Sequence, residues 1–209
     1  GKLIKKYRNE RLEAKGCQAQ VYKFLQSCLS DPWTELLPVK AAIISPASPP
    51  WIFPQNFQSN LVKISKQVGK GVLLSVLKTW ANSWSTTRRY GEAIKWPCIF
   101  GCEGEEDDLS HYIYCSRLWS GILSASNLEE ELIHVDPLVK LCLLNPSALW
   151  ACLIAVAFRS YHAIKFDHRA SVQTAVDSER WQLTADLLPT LLDTFGVSTD
   201  LLSGEAQGG

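Results

Sequence analysis

The sequence contains no methionine and no net charge: 21 Lys and Arg balance 21 Asp and Glu, and there are only four histidines. A neutral balance removes any global electrostatic case for nucleic acid or membrane, so such a case must rest on how charge is distributed. The missing methionine, an initial one included, leads to the expectation of a fragment or excised domain of something longer, and no signal or transit peptide is argued from such a start. Seven cysteines, at positions 17, 28, 98, 102, 115, 142 and 152, lack the rhythm of a disulfide framework. They point to a reducing intracellular compartment, nucleus or cytoplasm. A membrane span needs about 20 apolar residues. The nearest candidate, Leu138 to Phe158, contains Lys140 and the Asn145-Pro146-Ser147 break, so it reads as a buried core helix and no membrane partner is expected.

Catalytic motifs are also scarce. Gly69-Lys70-Gly71 is too short for a glycine-rich phosphate loop, and His134, His162 and His168 fall in no nucleophile motif. The carboxylates at Glu105 to Asp108 and Glu129 to Glu131 cluster on what read as exposed helix starts, which suits them poorly to acid/base work. The chain is expected to be no enzyme and to take no small-molecule substrate.

What is present is helical. With 46% hydrophobic residues in 209, the chain can bury the core of one domain with appended helices. Residues 1–44 read as an N-terminal helical segment, basic at first and then apolar at Val21, Tyr22, Leu25, Cys28 and Leu29. Residues 45–58, with four prolines, form a linker whose Trp51, Ile52, Phe53 and Phe57 fit packing along a surface. The domain proper spans 59–199, and a disordered tail follows over 200–209. Its longest helical pattern runs from Asn60 to Tyr90, with Gly69 and Gly71 as weak points. Short helices are expected over 128–133 and 136–144, the latter begun by an Asp-Pro cap. The apolar helix after Ser147 continues into a polar end with Tyr161, His162, Lys165, His168 and Arg169, read as solvated. A last helix spans 171–195, kinked at Pro189. The fold class is mostly α: an irregular helical domain with a small Cys-Cys-His-Cys zinc knuckle between a long central helix and C-terminal helices.

The knuckle occupies 96–119, WPCIFGCEGEEDDLSHYIYCSRLW. Cys98 and Cys102 bracket a turn in which Gly101 can take a positive φ. The acidic run Glu103 to Asp108 reads as a solvated loop whose end caps a helix begun near Asp107 or Asp108. His111 and Cys115, four residues apart, would then share one helix face. Three sulfurs and an imidazole make a closed tetrahedral set suited to structural Zn2+ rather than hydrolytic chemistry. The competing reading takes the cysteines as small buried hydrophobes.

Between Lys63 and Lys95 seven basic residues face a single acidic one, Glu92. Arg88, Arg89 and Lys95, with Trp84, Tyr90 and Trp96 as stacking platforms, make a candidate surface for RNA or DNA; the alternative is that the lysines solvate an outer face and the tryptophans fill the core. The stretch Leu77 to Trp119, LKTWANSWSTTRRYGEAIKWPCIFGCEGEEDDLSHYIYCSRLW, resembles the region downstream of the polymerase core in non-LTR retrotransposon reverse transcriptases. There a helix and a Thr/Arg-rich turn lead into a Cys-Cys-His-Cys knuckle. The resemblance implies that Cys98, Cys102, His111 and Cys115 are knuckle ligands and that Arg88 and Arg89 form its basic approach. It further implies a C-terminal, nucleic-acid-handling piece rather than the polymerase itself. The rival is a zinc-stapled helical module that binds protein, either the upstream part of its own polypeptide or another subunit. A degenerate retroelement relic is the third possibility.

Overall fold

The computed structural model describes residues 38–39, 57–145, 147–178, 180 and 182–194. The expectations for 1–44, the linker and the tail therefore fall almost wholly outside the described residues. Those described are mostly helical, and their only pairing of extended backbone is an isolated antiparallel bridge between Pro97 and Glu106.

The stretch read as one long central helix is two. Helix α1 covers Phe57–Gln67 and α2 covers Lys70–Trp80. Gly69 separates them with extended backbone at φ −64° and ψ 153°, and its carbonyl accepts the first N–H bonds of α2 from Val72 and Leu73. The second helix also stops well short of Tyr90. Asn82 adopts φ 53°, and the N–H groups of Asn82 and Ser83 turn back onto Thr79 and Lys78, closing the helix as a left-handed C-terminal residue does.

Helix α3 (Leu109–Tyr114) lies within the knuckle and α4 (Ser116–Ala125) leads out of it, followed by a 3-10 turn over Glu130–His134, where a short acidic helix was expected. Asp136 caps α5 (Pro137–Lys140) by accepting the Leu138 N–H at 2.7 Å, with proline at the first helical position; this is the Asp-Pro start read from the sequence. Helix α6 (Ala148–His162) begins after the Asn-Pro-Ser break and runs into a π-helical turn, Ala163–Asp167. The final helix is divided into α7 (Arg169–Ser178), α8 (Gln182–Ala185) and α9 (Leu187–Thr194). Pro189 does not kink it from within. It sits in the first turn of α9, where a missing N–H costs nothing.

Helix α6 forms the centre of the core, buried at Trp150, Leu153, Ile154, Ala157, Phe158 and Tyr161, and α2 packs along it. Each such large side chain removed from water contributes about 1.5–3 kcal/mol. Helix α9 closes over α4, where Gly121 matters: a β-carbon there would lie 2.8 Å from Leu188 Cδ2. Trp80 ties α2 to the end of α5 by donating its indole N–H to the Leu141 carbonyl at 2.8 Å. This body presents one flank to the knuckle.

Candidate metal centre

Two short extended segments build the turn that carries the first ligand pair. Cys98 N–H donates to Glu105 O and Asp107 N–H to Trp96 O, both at 2.8 Å, around the Pro97–Glu106 bridge. Within the loop they close, Gly101 has φ 79° and donates its N–H to Cys98 O at 3.0 Å. The positive φ anticipated for this glycine is therefore present. Asp108 is the N-terminal boundary residue of α3, as expected, although its side chain engages Ser110 and Arg88 instead of capping the helix backbone. His111 lies on α3, whereas Cys115 is the non-helical joint between α3 and α4, at φ −57° and ψ 103°. The expected stacking of His111 and Cys115 on one continuous helix is thus replaced by a bend at the second residue.

The bend still brings the ligands together. One donor atom from each of Cys98, Cys102, His111 and Cys115 lies within 4.8 Å of the others. Cys115 Sγ stands 3.8 Å from Cys98 Sγ and 3.5 Å from Cys102 Sγ, far beyond the roughly 2.05 Å of a disulfide, and all three are free thiols. Hydrogen bonds from the Cys115 thiol, working against burial, bring Cys98 down to about 4 and Cys102 to about 7, while Cys115 itself is driven upward by the same two bonds. Burial lowers His111, but its proximity to the Cys98 and Cys102 thiols outweighs that and raises it. His111 Nδ1 faces Glu105 Oε2 at 3.2 Å, and His111 Nε2 is buried without a hydrogen-bond partner. A buried imidazole nitrogen without a partner costs free energy unless something accepts its lone pair. Beside two acidic thiols, a metal ion answers that requirement, and these four residues could hold one.

The residues proposed for nucleic acid are divided by the fold. Arg88, Arg89, Tyr90 and Lys95 are exposed on the loop between α2 and the knuckle, with Tyr90 at 60% and neighbouring Ile94 at 73%. The Arg89 guanidinium lies 5.2 Å from the Tyr90 ring centroid. Arg88 Nη1 pairs with Glu106 at 2.9 Å, and its Nε lies 3.5 Å from Asp108. Trp84 must be corrected: it is 3% exposed, stacked on Tyr112 at 5.5 Å and flanked by Tyr161 and Phe158. Its rings are committed to the core, so no base can stack on it.

Sequence reasoning missed the residue beneath that loop. Asp107, read as part of a solvated acidic run, is 0% exposed. Its Oδ2 accepts from the Thr87 N–H at 2.8 Å and from Lys165 Nζ at 2.9 Å; its Oδ1 accepts from the hydroxyls of Tyr112 at 2.7 Å and Tyr161 at 3.0 Å. Lys165 also donates to Tyr161 Oη at 3.1 Å and lies 4.8 Å from the Trp96 ring centroid. The polar end of α6 and the π-helical turn that continues it are therefore turned inward at Tyr161 and Lys165, which are not solvated. Burial first, and the Asp107 charge second, push both tyrosines above their ordinary values, keeping the phenols protonated as donors. The network also anchors the 88–95 loop, because Thr87 Oγ1 accepts the Trp96 N–H at 3.1 Å.

No helix among the described residues is long and apolar enough to cross a membrane. Comparison of the chain with protein-family models, with curated proteins and with solved structures gives no match.

Proposed function

We propose that this chain is a nucleic-acid-binding accessory region of a retroelement reverse transcriptase, in which a structural zinc knuckle holds a basic loop towards RNA or DNA. Zinc is the ion of choice because bonds of about 2.3 Å at the tetrahedral angle set sulfurs about 3.8 Å apart. The two sulfur separations of 3.8 and 3.5 Å are compatible with that spacing. Three thiolates and an imidazole leave no position open for a reacting water, so the ion's part is to hold the fold, and the region's role is binding rather than catalysis. Free thiols suit a reducing compartment, nucleus or cytoplasm.

The observation that carries the reading is the 88–95 loop. Both its ends are tied to the knuckle, at Thr87 through Asp107 and at Trp96 through Thr87 and Asp107, while Arg89, Tyr90 and Lys95 are exposed. Phosphate contacts release counterions, so binding of a short RNA or DNA should weaken steeply as salt rises. Arg88→Ala with Arg89→Ala should reduce affinity at low salt about tenfold and flatten the salt slope by one or two contacts, with helical content unchanged. Titration at two salt concentrations checks this, and equal affinity of wild type and double variant would contradict it.

A second reading, a zinc-stapled helical module that binds protein, draws on the ion pairs of Arg88 with Glu106 and Asp108. An arginine already partnered by carboxylates has less charge to offer a phosphate, and the exposed Ile94 suits an apolar contact. Association that is insensitive to salt would favour this second reading.

A further inference from the structure

The metal-site reading leaves open how a ligand pair on a turn and another on a helix and its end are held in one geometry, and the structure assigns that task to Glu105. We infer that Glu105 is the positioning residue of the centre, fixing His111 with its carboxylate and Cys98 with its backbone carbonyl. This rests on the metal reading of the four ligands.

Three observations converge on this one residue. Its backbone carbonyl accepts the Cys98 N–H at 2.8 Å, which sets the start of the Cys98–Cys102 turn. Its carboxylate lies 3.2 Å from His111 Nδ1, across the gap between the turn and α3. The opposite ring nitrogen, His111 Nε2, is the buried atom that has no hydrogen-bond partner. A carboxylate at Nδ1 keeps the proton on that nitrogen, so the lone pair resides on Nε2, and it makes the imidazole a stronger donor. Glu105 thereby selects the tautomer and the ring orientation together. Other members of the acidic run have different partners: Glu106 pairs with Arg88, Asp107 with Lys165, and Asp108 with Ser110 and Arg88.

The side chain of Glu105 is half exposed, and Glu105→Ala retains the backbone carbonyl that holds Cys98, so the variant is expected to fold. Zinc affinity is read by competition with a chromophoric chelator for wild type, Glu105→Ala and Glu105→Gln, alongside long-range 1H–15N spectra of the His111 ring. Loss of such a partner weakens metal binding about 10–100-fold, the effect expected of Glu105→Ala. Glu105→Gln, which keeps an oxygen acceptor for the Nδ1 proton, should recover most of it. In the wild type the spectra should show a protonated Nδ1 and a metal-bound Nε2, and in Glu105→Ala this signature should broaden or mix. Wild-type zinc binding with a Glu105→Ala affinity within about twofold and an unchanged ring signature would overturn the positioning role while leaving the metal site intact. A wild type that binds no zinc would overturn both.

Discussion

The ligand cluster and the Asp107 network occupy the same stretch of chain, yet they settle their charges in opposite ways. Asp107 is fully enclosed and receives four hydrogen bonds, one from a lysine that is itself buried. Its charge is matched by groups brought from Thr87, Tyr112, Tyr161 and Lys165. The cysteine and histidine ligands lean on one another, on Glu105 and on the backbone at Phe100, Cys102 and Leu118, and no hydrogen bond satisfies His111 Nε2. One site is complete with the chain's own atoms, whereas the other is a donor set that asks for a cation. Buried charge therefore marks a ligand site only when the surrounding protein fails to satisfy it.

Breaking the completed site should have the largest effect. Asp107→Ala strands the Lys165 ammonium, two phenols and the Thr87 N–H, and removing one partner of a buried pair costs about 3–5 kcal/mol. Denaturant unfolding should report that loss, and adding Lys165→Met to the Asp107→Ala variant should restore part of it by removing the stranded charge. A loss below about 1 kcal/mol would place Asp107 among ordinary surface carboxylates.

A smaller effect is expected at Lys140, a buried lysine with no carboxylate partner among the described residues. Its amine donates to the Ile133 carbonyl and lies 5.2 Å from the Trp119 ring centroid, and burial lowers it to about 8. Unfolded lysine titrates near 10.4. Between about 8 and that value the unfolded chain holds more protons than the folded one, so the Lys140 contribution grows more favourable as pH rises through this window and is least favourable below it. Lys140→Met should flatten that slope and raise stability at neutral pH by about 1 kcal/mol. Urea unfolding at pH 7 and pH 10 measures both; an unchanged slope in the variant would show that Lys140 is hydrated.

The same contrast explains what could be read from the sequence. Ligand spacing was legible because coordination demands particular residue types close together in the chain, and the Gly101 turn and Asp136-Pro137 start are equally local. Asp107 was not, because its partners Tyr161 and Lys165 lie 54 and 58 residues away and a run of five acidic residues in six normally faces water. Trp84 was ambiguous for the same reason: the cluster that covers it draws on Tyr112, Phe158 and Tyr161. The two-helix division of 57–80 was half legible, since Gly69 was visible as a weak point, whereas the early stop at Asn82 depended on one left-handed residue.

The central claim is that Cys98, Cys102, His111 and Cys115 hold one zinc ion, and the zinc content of the purified chain tests it most directly. Elemental mass spectrometry on protein prepared without chelator, beside a Cys98→Ser, Cys115→Ser double variant, should give close to one zinc per wild-type chain and almost none in the variant. A wild type that is stably helical and free of metal would contradict the account, and with it the main support for a knuckle that presents Arg88 and Arg89 to nucleic acid.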